Sequence, residues 1–273
     1  MNFGDKLDRA IDKNNSLLCV GLDPAIDKMP AQFTNSDKPF FEFNKAIIDA
    51  TADQVCCYKP NSAFYEAKGA SGIEQLKETC DYIKQNYPEI PIILDAKRAD
   101  IGNTNAGYVA FAFDYLGADA ITLNPYMGKS ALQPFLDRGD KGCVILCRTS
   151  NEGAEEFQSL EVGSENLSQK VAKNVASIWN ENNNCLLVIG ATNAHEVANL
   201  RQVVGSEITF LVPGIGAQGG DLEATLKAGL NTDGKGLIIS ASRSIIYASN
   251  NEDFAQAARS EAERTNAQIN QYR

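Results

Sequence analysis

The sequence is poor in the side chains on which many catalytic and metal-binding sites depend. Histidine occurs once, as His195. Its setting, NAHEVANLRQVV, has the apolar spacing of an amphipathic helix, so a helix-surface histidine is expected, and triads or His-rich metal sites are poor starting points. The seven cysteines are an odd number and include no Cys-x-x-Cys pair; Cys56 and Cys57 are adjacent. The spacing of a structural zinc site is therefore missing. Five of them (Cys19, Cys56, Cys57, Cys143 and Cys185) lie in short apolar runs, where a thiol packs as a small hydrophobe rather than entering a disulfide framework. No run approaches the ~20 apolar residues of a membrane span, and MNFGDKLDRAIDKNNSLLC lacks a basic segment followed by an apolar one. Basic residues are in deficit, 25 against 35 acidic, for a net charge of −10. Nucleic acid and anionic membranes would be repelled by most of such a surface, although a local basic pocket stays possible. The expectation is a soluble, cytoplasmic protein that binds neither.

What is present is a repeating pattern. A chain of 273 residues with 44% hydrophobic content suits one α/β barrel occupying 1–273 as a single domain. Eight short apolar runs recur: Leu17 to Leu22, Val55 to Tyr58, Pro91 to Leu94, Ala120 to Leu123, Cys143 to Leu146, Cys185 to Ile189, Thr209 to Val212 and Leu237 to Ile239. Nearly continuous apolar strands belong in a parallel sheet covered on both faces. Helical spacing lies between them, as in Ile73, Leu76, Cys80, Ile83 and Tyr87, or Leu167, Val171, Val175 and Ile178. Eight βα units indicate a TIM (β/α)8 barrel; an open doubly wound sheet is the alternative that spacing alone leaves standing.

Most of the runs end in residues capable of binding or chemistry: Asp23, Lys59, Asp95 with Lys97, Asn124, Arg148 with Ser150, Gly214 to Gln218, and Ser242 with Arg243. In a barrel these ends meet at the face that carries the active site. Two connections on that face, Pro24 to Pro39 and Thr149 to Ser164, are long. Each is either a lid or a surface elaboration.

The densest signal is ILDAKRADIGNT, from Ile93 to Thr104. Asp95 and Lys97 are two apart at a strand end, so their side chains can share one side, and Asp100 follows within a turn. Lysine beside two carboxylates keeps its proton, which makes it an acid rather than a nucleophile. A second signal, PGIGAQGGDLEATLKAG from Pro213, exposes backbone N–H groups ahead of a helix, and Arg243 follows the eighth run as a fork for phosphate oxygens. Loops after strands seven and eight are the recurrent phosphate site of this barrel, so a phosphorylated substrate is expected.

DAKRADIGNT closely resembles the signature of the orotidine 5′-monophosphate decarboxylase family, Asp-x-Lys-x-x-Asp-Ile-x-x-Thr. GLDP at Gly21, KPN at Lys59, CRTSN at Cys147, PGIGAQGGD at Pro213 and SASRSIIY at Ser240 extend the similarity over nearly the whole chain, in the order and spacing of the longer, type 2 subgroup. The resemblance implies that Asp23 contacts the ribose hydroxyls, and that Lys59, Asp95, Lys97 and Asp100 form an alternating charge array beside the substrate carboxylate. It implies that Asp100, Ile101 and Thr104 reach into the neighbouring subunit's site, which makes the active unit a homodimer. Ser150 is expected on the pyrimidine, and Gln218 and Arg243 on the 5′-phosphate. The implied reaction turns orotidine 5′-monophosphate into UMP and CO2 without metal or cofactor, with Lys97 as proton donor. Two positions depart from the family pattern, Ala99 where glycine is expected and Glu152 where proline is usual.

Two other readings fit parts of the pattern. Mg²⁺-dependent sugar-phosphate decarboxylases or synthases of the same superfamily share Asp-x-Lys-x-x-Asp but are expected to place a glutamate ligand at the second strand end. Lys59 stands there, and its ammonium would repel a cation. A non-catalytic nucleotide-binding barrel would be expected to have lost part of the Lys59, Asp95, Lys97, Asp100 set, which is complete.

Overall fold

The computed structural model describes residues 1–191, 194–214 and 221–273. Its centre is an eight-stranded parallel sheet: β1 (Leu18–Gly21), β2 (Cys57–Lys59), β3 (Ile93–Arg98), β4 (Ala120–Leu123), β5 (Gly142–Arg148), β6 (Cys185–Ile189), β7 (Phe210–Pro213) and β8 (Leu237–Ala241). The order is β2-β1-β8-β7-β6-β5-β4-β3. The two outer strands then meet, through parallel bridges Tyr58 to Ile92 and Asn61 to Asp95; the amides of Tyr58 and Asp95 donate to the carbonyls of Pro91 (3.0 Å) and Pro60 (2.9 Å). The sheet thus curls into a nearly closed barrel, and the open doubly wound alternative falls away. β1, β2, β4, β6 and β8 are buried along their whole length, because helices cover their outer face while side chains fill the inside.

Local sequence explains where the helices begin. Asn2 caps α1 (Phe3–Asn14) by accepting from the Asp5 amide, Pro39 opens α2 (Pro39–Thr51), and Asn61 caps α3 (Ser62–Glu66), each relieving or dispensing with an unpaired first-turn donor. α4 (Gly69–Asn86), α5 (Gly102–Val109) and α6 (Lys129–Leu136) follow β2, β3 and β4. After β5 come the short α7 (Glu155–Gln158) and α8 (Leu167–Asn174), the latter started by an Asn166/Gln169 capping box. α9 (Ala194–Val204), α10 (Leu222–Gly229), α11 (Arg243–Ile246) and α12 (Phe254–Asn270) complete the ring. α1 lies across the amino-terminal end: Lys6 pairs with Asp119 ahead of β4 and Lys13 with Glu89 ahead of β3.

Leu167, Val171, Val175 and Ile178 lie in α8 and its continuation, as their helical spacing predicts, although the buried face is Ser168, Ala172, Val175 and Trp179, with Leu167 and Val171 half-buried and Ile178 exposed. The continuation, Val175–Trp179, is π-helical.

Both long connections are structured. The first contains two short 3-10 turns, Ile26–Lys28 and Ala31–Phe33, and Phe33 packs edge-on against Phe43 of α2 and Phe254 of α12. The second contains α7 and a small hairpin, Glu161–Val162 with Glu165–Asn166. Gln158 clasps its start, accepting from the Thr149 amide and donating to the Thr149 hydroxyl, each at 2.8 Å.

Candidate active site

At the carboxyl mouth of the barrel, β2 and β3 deliver three charged groups to one point. Lys59 Nζ is 3.1 Å from Asp95 Oδ2, and Lys97 Nζ is 2.6 Å from Asp95 Oδ1. Lys59 and Asp95 are 6% and 9% exposed, whereas about half of the Lys97 side chain faces the opening. Burial pushes the Asp95 carboxyl up, but Lys59 and Lys97 outweigh it and hold the group well below the usual carboxylate range. Burial likewise pulls Lys59 down, and Asp95, then Asp23, override it, so that its ammonium persists above the ordinary lysine range. Asp95 and Lys59 are therefore held as an ionised pair.

The lysine reaches this position by a less direct route than simple strand alternation. β3 pairs regularly with β4 up to Leu94, then shifts register before Arg98. Within that bulge Lys97 has φ +47°, a left-handed conformation that costs a non-glycine residue about 1–2 kcal/mol. Thr122 of β4 receives the amides of Ala96 (3.0 Å) and Lys97 (2.9 Å) and donates to Asp95 Oδ1 (2.9 Å). Bulges beside active sites re-aim side chains in this manner.

Two hollows adjoin at Lys59 and Pro213. The first, about 450 Å³, holds Asp95, Lys97, Thr122 and Ser150, with Leu146, Val188 and Leu211 as an apolar wall. The second, about 340 Å³, is bordered by Asp23, Lys28, Gly214, Ser242, Arg243 and Tyr247. Asp23 is fixed there by the Asn61 amide at 3.1 Å and the Ser242 hydroxyl at 2.7 Å. Tyr247 donates to the Asp23 carbonyl at 3.0 Å and accepts from the Ala25 amide at 2.7 Å; burial pushes its phenol up to about 12, which keeps that donor protonated. Glycine is required at two close approaches. A Cβ on Gly21 would lie 2.7 Å from Ser242 Cβ, and one on Gly190 would lie 2.8 Å from Ser150 Cβ.

Of the residues expected from sequence, Lys59, Asp95, Lys97, Ser150, Asp23 and Arg243 border these joined hollows. Gln218 lies outside the described residues, as do Gly216, Gly219 and Gly220. Asp100, Ile101 and Thr104 stand apart from the array. Asp100 accepts from the Ile101 amide at 2.7 Å, and its own amide is held by Asn105 at 2.9 Å; Ile101 is 61% exposed. Among the described residues no ion pair joins Asp100 to either lysine. Sequence reasoning gave no role to Thr122 and Lys28, which lie in no motif, nor to Asn61 and Tyr247, which close KPN and SASRSIIY. His195 is exposed on α9, with Nδ1 3.2 Å from Asn199 Nδ2.

Charges gathered from several strand ends around joined hollows at the carboxyl mouth of a parallel barrel define a (β/α)8-barrel enzyme. A family model described as Orotidine 5'-phosphate decarboxylase / HUMPS family matches residues 16–258, and the chain belongs to that family. It is 53% identical over 272 residues to the orotidine 5'-phosphate decarboxylase of Cellvibrio japonicus, covering 99% of this chain and 98% of that protein. The protein of the same name from Dechloromonas aromatica is 50% identical over 273 residues, the whole of both chains. Among solved structures, OMP decarboxylase from Leishmania donovani is similar with a TM-score of 0.86 at 38% identity, covering 100% of this chain and 99% of that one.

Proposed function

We propose that this chain decarboxylates orotidine 5′-monophosphate to UMP and CO2 in pyrimidine biosynthesis, with 1–273 acting as one domain. The observation that carries the reading is the Lys59–Asp95–Lys97 array beside a hollow bordered by Arg243. Breaking the bond from C6 to the carboxylate leaves its electron pair on C6, where no π-system takes it up. A fixed ammonium at that point stabilises the developing charge without reorganising during the step. Lys97 then gives one N–H proton to C6 and regains a proton from solvent. Both requirements, a positive charge and a proton, are met by lysine alone, so the step calls for no metal or cofactor. The Mg²⁺-using relatives are disfavoured because Lys59 sets a buried ammonium against Asp95, where a cation would be repelled.

The remaining roles follow from position. Asp23, held by Asn61 and Ser242, suits the ribose hydroxyls; Ser150 suits the pyrimidine edge; Arg243, with Gln218, suits the 5′-phosphate. The exposed Ile101 and Thr104, with the half-buried Asp100 beside them, fit a homodimer in which each subunit completes its partner's site, since on its own chain Asp100 leaves Lys97 to Asp95. No described helix is long and apolar enough to cross a membrane; with seven thiols buried and free, a cytoplasmic enzyme is the reading favoured by chemistry.

The test follows orotidylate absorbance with purified protein in excess EDTA, comparing wild type with Lys97→Ala. Conversion to UMP that resists EDTA and collapses in the variant is expected. A correctly folded but inactive wild type sinks the assignment, and activity dependent on added Mg²⁺ contradicts the mechanism.

A further inference from the structure

We infer that Thr122 is a positioning residue for the proton donor, its single buried hydroxyl fixing both the Asp95 carboxylate and the backbone turn that carries Lys97. The inference rests on the decarboxylase reading of the site. Leu94 pairs with Ile121 and Arg98 with Leu123, so Asp95, Ala96 and Lys97 stand opposite Thr122 alone. Two amides in that stretch have no ladder partner. Both turn to Thr122 Oγ1, at 3.0 and 2.9 Å. Consecutive amides converge on one oxygen when a residue of the turn is left-handed, and Lys97 supplies that conformation.

The hydroxyl's valence decides the rest. It has two acceptor lone pairs and one proton. With the amides on the acceptor side, the proton goes to Asp95 Oδ1 at 2.9 Å. The same carboxylate oxygen receives Lys97 Nζ at 2.6 Å. A closed circuit results, from the Lys97 amide through Thr122 and Asp95 back to the Lys97 ammonium, so one hydroxyl governs both ends of the lysine. Thr122 is 1% exposed yet borders the reaction hollow. Valine would keep its shape and strand preference while leaving two amides and a carboxylate oxygen short of partners; serine would keep the hydroxyl.

The experiment compares wild type, Thr122→Val, Thr122→Ala and Thr122→Ser by steady-state kinetics, UMP affinity and thermal melting. Thr122→Val is expected to lose about 100-fold in kcat, the scale of one preorganised hydrogen bond at a reacting centre, while KM and UMP affinity hold and Thr122→Ser recovers most of the loss. Thr122→Ala, which cannot overpack, is judged by the same criteria should the valine variant not fold. Near-wild-type turnover in any folded variant without the hydroxyl, a rise in KM and loss of UMP affinity in step with the loss of kcat, or serine no better than valine would overturn the role. An inactive wild type overturns the decarboxylase reading itself, and this role with it.

Discussion

Lys59 and Asp95 form a buried ion pair of 3.1 Å at the seam where β2 meets β3. Removing one partner leaves a buried charge uncompensated, which typically costs 3–5 kcal/mol. Asp95→Asn is therefore expected to lower the stability of the fold as well as abolish turnover, measured by urea unfolding. The pH dependence has a definite sign. The Asp95 carboxyl is depressed in the folded state, so its stabilisation is complete above about pH 4, where the unfolded group ionises, and is lost as pH falls through the folded value. Lys59 is raised, so its share is complete below about pH 10.4 and lost as pH rises through the folded value. Unfolding midpoints across pH should decline less steeply on the acid side in Asp95→Asn than in wild type; parallel acid limbs would count against the pair.

Gly190→Ala tests how tightly the hollow is packed around Ser150. The added Cβ would stand 2.9 Å from the Ser150 amide nitrogen and 3.0 Å from its Cα, backbone atoms that cannot swing aside. Overpacking of this kind costs about 1–3 kcal/mol. Melting should fall, and KM should rise as Ser150 is displaced; unchanged values of both would show that Ser150 has freedom to move.

Arg243 borders the second hollow, and no ion pair engages it among the described residues. A charged hydrogen bond to a ligand contributes about 1.5–3 kcal/mol. Arg243→Ala should therefore weaken inhibition by UMP about 10- to 100-fold while leaving inhibition by uridine, which lacks the phosphate, nearly unchanged. Equal weakening of the two inhibitors would place Arg243 elsewhere in recognition.

Shared sites can be tested by complementation. Lys97→Ala and Asp100→Ala should each be inactive as pure proteins. If Asp100 serves the partner's site, subunits exchanged at equal ratio form mixed dimers with one intact site, giving about a quarter of wild-type activity overall. A mixture as inactive as its components argues that each chain uses its own Asp100.

The barrel strands were legible because covered strands are nearly unbroken apolar runs; Cys185–Ile189 coincides with its expected bounds. Strand ends were harder. β3 continues four residues beyond Leu94 to Arg98, since its last part is built from charged residues that serve the site rather than the core. Asp95 and Lys97 were placed together correctly, but a straight alternation was assumed where the chain uses a bulge and a left-handed lysine. Such a feature leaves no trace in hydrophobic period. Thr122 was invisible for a related reason, as a single threonine in ADAITLN reads only as strand. The buried face of α8 shows the same limit, because Ser168 and Ala172 point inward while the apolar Leu167 and Val171 are only half-buried.

The closure between β2 and β3 rests on two isolated bridges; Asp95 belongs to one of them, and Lys59 lies between Tyr58 and Asn61, the residues that β2's side contributes. In the proposed mechanism this clasp is also the reactive centre. Opening of the barrel along that line would part the ions. If the proposed roles hold, catalytic competence and hoop integrity are a single property, and adaptation to heat or cold must pass through the same handful of atoms.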